Sequence, residues 1–226
     1  MGFCWCYCCF GFDGYFFNLI ILLMRAYILK ESDSELRVSA SPESVKKMVE
    51  LGISVNIQTT AGQNSNFSDE SYISNGAEIF NNISEISNAD IIIKVNKPTD
   101  DEISSMKEGS LFIGSLDPYN SKKTLNKLKD KGVTSFAMEL MPRITRAQSM
   151  DILSSQSNLA GYKAVIDATY LFNKAMPMMM TAAGTIAPAK VMVFGAGVAG
   201  LQAIATAKRL GAIVSATDVR MAAKEQ

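Results

Sequence analysis

The chain has 226 residues, 48% of them apolar, enough for one large core or two smaller ones and too many for general disorder. Its 22 basic and 22 acidic side chains cancel, which argues against nucleic acid as a partner. It has no histidine, so His-based acid–base catalysis, Ser-His-Asp triads and most His-containing metal sites are excluded, and no metal ligands are assigned.

Residues 1–23 differ sharply from the rest of the chain. They are apolar and aromatic, with Asp13 as the sole charge, and they hold all four cysteines: Cys4, Cys6, Cys8 and Cys9. That crowded cluster lacks the ligand spacing of a zinc site. A signal peptide would open with a basic region. The uninterrupted apolar run is too short for the roughly twenty residues of a membrane helix. The segment is therefore read as an extension rather than an anchor, with Met24 as the expected start of the protein proper. The cysteine-free body suits a reducing compartment.

From Met24 strands and helices alternate. Residues 26–29 read as a strand. Ser41-Pro42-Glu43 opens a helix, with serine as cap and proline in the first turn, and Gly52 stops it. A strand over 53–57 and a polar loop over 61–66 lead to a second capped helix start at Ser68-Asp69-Glu70. Residues 90–95 are the strongest strand of this half. Strands at 111–114 and 133–137 flank a lysine-rich helix over 121–131. This order predicts a parallel sheet covered on both faces.

Residues 139–157 are polar, and 158–174 have the spacing of a long linking helix, with Ala160, Gly161, Ala164 and Ala168 small enough for close packing. Residues 176–187 read as a methionine- and proline-rich hinge loop, in which Met178, Met179 and Met180 supply adaptable packing.

The run from Ala189 to Gly200 is a buried strand entering a GxGxxG turn. Gly195 allows the tight turn, Gly197 lets backbone approach a pyrophosphate, and Gly200 lets the next helix pack on the strand. That helix, about 198–209, aims its free N–H groups at the phosphates. A second strand over 212–217 ends at Asp218, whose carboxylate can take both ribose hydroxyls and repel a 2′-phosphate, favouring NAD over NADP. Arg220 reads as a 2′-phosphate contact or as a solvated charge. The expected cofactor contacts are Gly195, Ala196, Gly197, Val198, Gly200, Asp218, Val219 and Arg220. The expected fold is α/β, with two Rossmann-like parallel-sheet domains, the second incomplete after two strands.

Residues 138–162 (MELMPRITRAQSMDILSSQSNLAGY), 178–185 (MMMTAAGT) and 216–220 (ATDVR) resemble the N-terminal, NAD(H)-binding part of the alpha subunit of proton-translocating NAD(P) transhydrogenases, in the alanine dehydrogenase/transhydrogenase superfamily. The earlier residues match more loosely, through Arg37-Val38, Ser41-Pro42-Glu43 and Lys94-Val95. The resemblance implies a domain over 24–142, a nicotinamide-side loop and linking helix over 143–175, and the start of an NAD-binding domain over 176–226. It implies nicotinamide positioning by Arg143, Gln148, Asp151 and Ser154. Chemically, Gln148 can bond a carboxamide, Arg143 can reach a phosphate or carboxamide oxygen, and Asp151 can hold Arg143.

The resemblance further implies NAD(H) as cofactor and hydride transfer from NADH to NADP+ on a separate component. It implies a homodimer, membrane-embedded and NADP(H)-binding partners, and a cytoplasmic place beside the inner membrane through those partners. Such hydride transfer needs positioning and no protein acid or base. One competing reading is alanine dehydrogenase, with Lys94 as its lysine, although no histidine completes that site. The other is a non-catalytic NAD-binding fragment of a split or decayed gene.

Overall fold

The computed structural model describes residues 24–221. The expectations for segment 1–23 lie outside the described residues. The chain divides between Met141 and Pro142 into two compact units.

The first unit carries six parallel strands: β1 (Arg25–Ile28), β2 (Ser54–Gln58), β3 (Glu78–Phe80), β4 (Ile91–Ile93), β5 (Leu111–Gly114) and β6 (Thr134–Ala137). Their order is β3-β2-β1-β4-β5-β6, that of a doubly wound sheet. Alternation along β1 sends Tyr27 and Leu29 to one face and Ile28 to the other, so each face has its own core. Ile92 and Phe112 join the first core, and Val55 and Ile57 the second.

The helices are α1 (Pro42–Glu50), α2 (Asp69–Ile73), α3 (Asp100–Ser105) and α4 (Lys122–Asp130). Ser41 caps α1 by accepting the Ser44 N–H, with Pro42 in the first turn, and Ser68 caps α2 through the Ser71 N–H. These are the starts expected from the sequence. Strand β3 and helix α3 are not among the expected elements, being three and six residues long. Each is too short to show a hydrophobic period.

Helix α3 is nonetheless strongly specified. Thr99 caps it, and Glu102 answers by accepting the Thr99 N–H at 2.7 Å. Glu102 also accepts from Lys94 Nζ at 2.7 and 2.9 Å, with both side chains buried. In the other core, Tyr72 is fully buried and donates its hydroxyl to the Ala40 carbonyl at 2.9 Å.

Burial pushes the Tyr72 phenol up to about 12 from an ordinary value of 10.0. The folded state therefore holds this proton when the unfolded chain has released it. The stability so gained is complete below pH 10 and is lost as pH rises from 10 through 12. Tyr72→Phe is expected to flatten that part of a stability–pH curve measured by urea unfolding. An unchanged alkaline slope would remove Tyr72 as its cause.

The second unit contains α5 (Ile152–Leu171), an antiparallel hairpin of β7 (Met179–Thr181) and β8 (Gly184–Ile186), then β9 (Lys190–Phe194), α6 (Val198–Arg209) and β10 (Ile213–Thr217). β9 and β10 pair in parallel, with Lys190 opposite Ile213 and Phe194 opposite Thr217. Three expectations are corrected here. The linking helix starts at Ile152, because Asp151 caps it by accepting the Ser154 N–H. Its serine-rich first turns conceal that start. The hinge over 176–187 contains the β7–β8 hairpin. β9 is not covered on both faces: Val191 and Val193 are half-buried, whereas Met192 and Phe194 are exposed.

Among the described residues, no helix is long and apolar enough to cross a membrane. None of them forms a cluster of three or more Cys, Asp or Glu able to hold a metal ion.

Candidate functional site

Doubly wound sheets bind ligands at the carboxyl ends of the strands where the order reverses. In the first unit that point lies between β1 and β4, and the chain's own groups fill it. Glu31 accepts the Val95 N–H at 2.6 Å, the Asn96 N–H at 3.3 Å and the Asn96 side-chain amide at 3.3 Å. Lys94, the lysine of the alanine dehydrogenase reading, is 5% exposed and bound to Glu102, so it presents no free amine to a substrate.

The second unit offers a different surface. Gly195 has φ +97°, a conformation that side chains with a Cβ rarely adopt. A Cβ on Gly200 would lie 1.8 Å from the Gly195 carbonyl oxygen, so α6 can approach the end of β9 only because residue 200 is glycine. At Gly197, in contrast, a Cβ would meet nothing closer than the Arg220 Nη2 at 3.9 Å. The space over Gly197 is thus open to a ligand. Gly197 caps α6 without a side-chain hydrogen bond, which leaves first-turn N–H groups for an anion.

A cleft of about 360 Å³ opens there, within the usual range of small-ligand sites. Phe194, Gly195 and 197–200 line it, together with Arg143, Ser154 and Ser157. The structure therefore brings Arg143 and Ser154, expected from the resemblance, to the glycine turn. Ser157 is an addition, since its polar surroundings read as loop in the sequence. It lies on α5 three residues after Ser154, one helical turn along the same face.

Asp151 turns its carboxylate to Ser154 rather than to Arg143. It accepts the Ser154 hydroxyl at 2.6 Å and the Ser154 N–H at 2.9 Å. Those bonds hold it below its ordinary value, with Arg143 a more distant electrostatic contributor. Asp151 thus orients Ser154. Gln148 lies on the 3₁₀ turn Thr145–Met150, exposed and outside the residues that line the cleft.

Asp218 stands at the tip of β10, and its Oδ2 accepts the Ala196 N–H at 2.7 Å, tying that tip to the glycine turn. Arg220 is exposed, and it is paired with Asp218. Its Nε and Nη2 each donate to Asp218 at 3.1 Å. The guanidinium, the Arg220 N–H and the Ala196 N–H hold the Asp218 carboxyl well below the usual carboxylate range. Val219 is fully exposed.

A parallel strand, a glycine turn in which each glycine has a separate steric role, a helix N-terminus and an acid at the next strand tip define a Rossmann-type βαβ unit. The alanine dehydrogenase/PNT N-terminal domain matches residues 27–160, and the alanine dehydrogenase/PNT C-terminal domain matches 164–226. The chain belongs to the alanine dehydrogenase/PNT family.

It is similar to the first part of NAD(P) transhydrogenase subunit alpha of Rhodospirillum rubrum, with 52% identity over 210 residues, 90% of this chain and 55% of that protein. It is also similar to the crystal structure of transhydrogenase from Sinorhizobium meliloti, with a TM-score of 0.85 and 55% identity over 89% of this chain and 60% of that one. Alanine dehydrogenase 2 of Staphylococcus aureus is more distant, 34% identical across 83% of this chain and 50% of that protein. The chain spans about half the length of the curated relatives it matches.

Proposed function

We propose that this chain is the NAD(H)-binding component of a proton-translocating transhydrogenase. The observation that carries the reading is the cleft in which Arg143 and Ser154 face the glycine turn. The residues fit a dinucleotide: open space over Gly197 admits a diphosphate, the α6 N-terminus supplies N–H donors, and Asp218 supplies acceptors for ribose hydroxyls. Ala196, Val198 and Val219, next to these groups in the chain, would flank the adenosine end. Arg143 and Ser154 would hold the nicotinamide end, with Asp151 orienting Ser154 and Gln148 reaching in from the 3₁₀ turn.

NAD(H) would supply the transferable hydride, and this chain's residues would supply its position. Direct transfer between two nicotinamides asks for no protein proton donor, which suits a histidine-free chain. The similarity to one part of a divided alpha subunit supports partner subunits. Our reading is that the NADP(H) site and the proton path belong to membrane-embedded partners, with this chain a peripheral homodimer at the inner membrane.

Equilibrium titration of this chain with NADH and NADPH tests the cofactor reading. NADH is expected to bind more tightly, and Asp218→Asn is expected to weaken NADH about tenfold while NADPH changes little, because bonding groups lose their acceptor. No NADH binding, or identical curves for both nucleotides, would overturn it.

Gln148→Asn tests the nicotinamide end in the full-length subunit with its partners. Shortening the side chain by one methylene is expected to leave NADH affinity within a few-fold and to lower hydride transfer by about a hundredfold, since misplacement by ~1 Å costs that much. Full turnover would leave residue 148 without a positioning role.

A further inference from the structure

The tip of β10 is more crowded than an acid waiting for a ribose. Asp218 accepts four hydrogen bonds. Its Oδ2 takes the Ala196 N–H at 2.7 Å and Arg220 Nη2 at 3.1 Å, while Oδ1 takes the Arg220 N–H at 2.8 Å and Nε at 3.1 Å. A carboxylate has about four lone-pair positions, so this one is saturated.

The four donors are not equivalent. The Ala196 and Arg220 N–H groups belong to backbone, fixed by the glycine turn and by the chain beyond β10. Nε and Nη2 belong to a side chain that is 62% exposed, whereas the Asp218 side chain is 8% exposed. A ribose diol needs an acceptor for each hydroxyl. Of the four donors, the guanidinium is the one that can leave. Its Nη2 also lies 3.9 Å from the Cβ position of Gly197, over the surface where a diphosphate would approach.

We propose that Arg220 is a two-position specificity residue. It competes with the ribose hydroxyls for Asp218 and, once displaced, pairs with the diphosphate above Gly197. This rests on the dinucleotide reading above. The physical consequence is selection for ligands that carry both groups. A nucleoside must break the Asp218–Arg220 pair and gains nothing from the released guanidinium. A nucleoside diphosphate breaks the same pair and recovers the interaction as charge-assisted hydrogen bonds to phosphate. The guanidinium partner is largely exposed and water solvates it when it leaves, so the competition costs a ligand only about two- to fivefold in affinity.

The test uses the whole chain, with adenosine and ADP as probes and calorimetry or NMR titration as readout. Arg220→Gln frees Asp218 and removes the phosphate partner. Adenosine is expected to bind about two- to fivefold more tightly, and ADP about fivefold or more weakly. The advantage of ADP over adenosine therefore falls by about tenfold or more. Arg220→Lys keeps the charge and loses the planar fork, so adenosine tightens and ADP does not weaken.

A purely structural arginine would move both probes in one direction. Parallel shifts, or no shift, in Arg220→Gln would overturn the proposal, as would Arg220→Lys binding adenosine no better than the unaltered chain. If the unaltered chain binds adenosine, ADP and NADH not at all, the dinucleotide reading itself falls. If it binds NADH and the probes shift together, the Arg220 proposal alone falls.

Discussion

Lys94→Ala is expected to destabilise the protein by about 3–5 kcal/mol, the usual cost of stranding one member of a buried ion pair. Lys94 follows β4 and donates to both oxygens of Glu102 in α3, at 2.7 and 2.9 Å, with side chains 5% and 9% exposed. Alanine would leave the carboxylate to the Thr99 N–H. It would also leave a space where the buried lysine side chain stood. The attraction between the two ions matters less than the desolvation that each would suffer alone. The double replacement Lys94→Met, Glu102→Leu is therefore expected to cost about 1 kcal/mol, mostly the lost helix cap. Urea unfolding of the single and double variants measures the difference. A single variant that loses less than about 1 kcal/mol would show that water reaches the pair and that it is not buried in solution.

Legibility in the sequence followed element length and the number of faces an element buries. β1, β4 and β5 are apolar because both sheet faces are covered, and their runs stand out without homologues. α1 and α2 are marked by their caps, Ser41 and Ser68, which satisfy N–H groups in the structure as expected. β3 carries no such mark and is held by pairing with β2. α3 carries a local one, the Thr99–Glu102 capping box, but its six residues add no hydrophobic period, and the buried bond from Glu102 to Lys94 comes from outside the helix. The β7–β8 hairpin has every residue exposed, so burial left no alternation to read.

The glycine turn was legible because its demands are steric and each falls on one residue. A carbonyl oxygen 1.8 Å from the Cβ position of Gly200 allows no other side chain. The polar residues were less legible. Charge alone pairs Asp151 with Arg143, but a serine three residues on makes it a helix cap. Arg220 and Asp218 are two residues apart, close enough to pair, yet which donors saturate the carboxylate depends on how the turn at Ala196 folds back. Spacing gives which side chains can meet; hydrogen-bond saturation requires coordinates.

Gly161→Ala is expected to destabilise the second unit by about 2 kcal/mol or more. Gly161 lies in the interior of the twenty-residue helix α5, where glycine costs about 1 kcal/mol relative to alanine. Propensity alone therefore favours the substitution. Packing opposes it and is larger. A Cβ at this position would lie 2.1 Å from the Ala199 carbonyl oxygen and 2.8 Å from its carbonyl carbon. Both atoms are backbone at the start of α6, so no rotamer change relieves the collision, and the two helices must separate. Overpacking of this kind costs about 1–3 kcal/mol and sometimes more. Separation would also drag Gly197 and Ala199 away from the cleft. Hydrogen exchange should show protection lost across α5 and α6 while β1–β6 keep theirs, and NADH affinity should fall with it. A Gly161→Ala protein that is more stable than the parent would mean that helix propensity wins and that the close approach of the two helices is not maintained in solution.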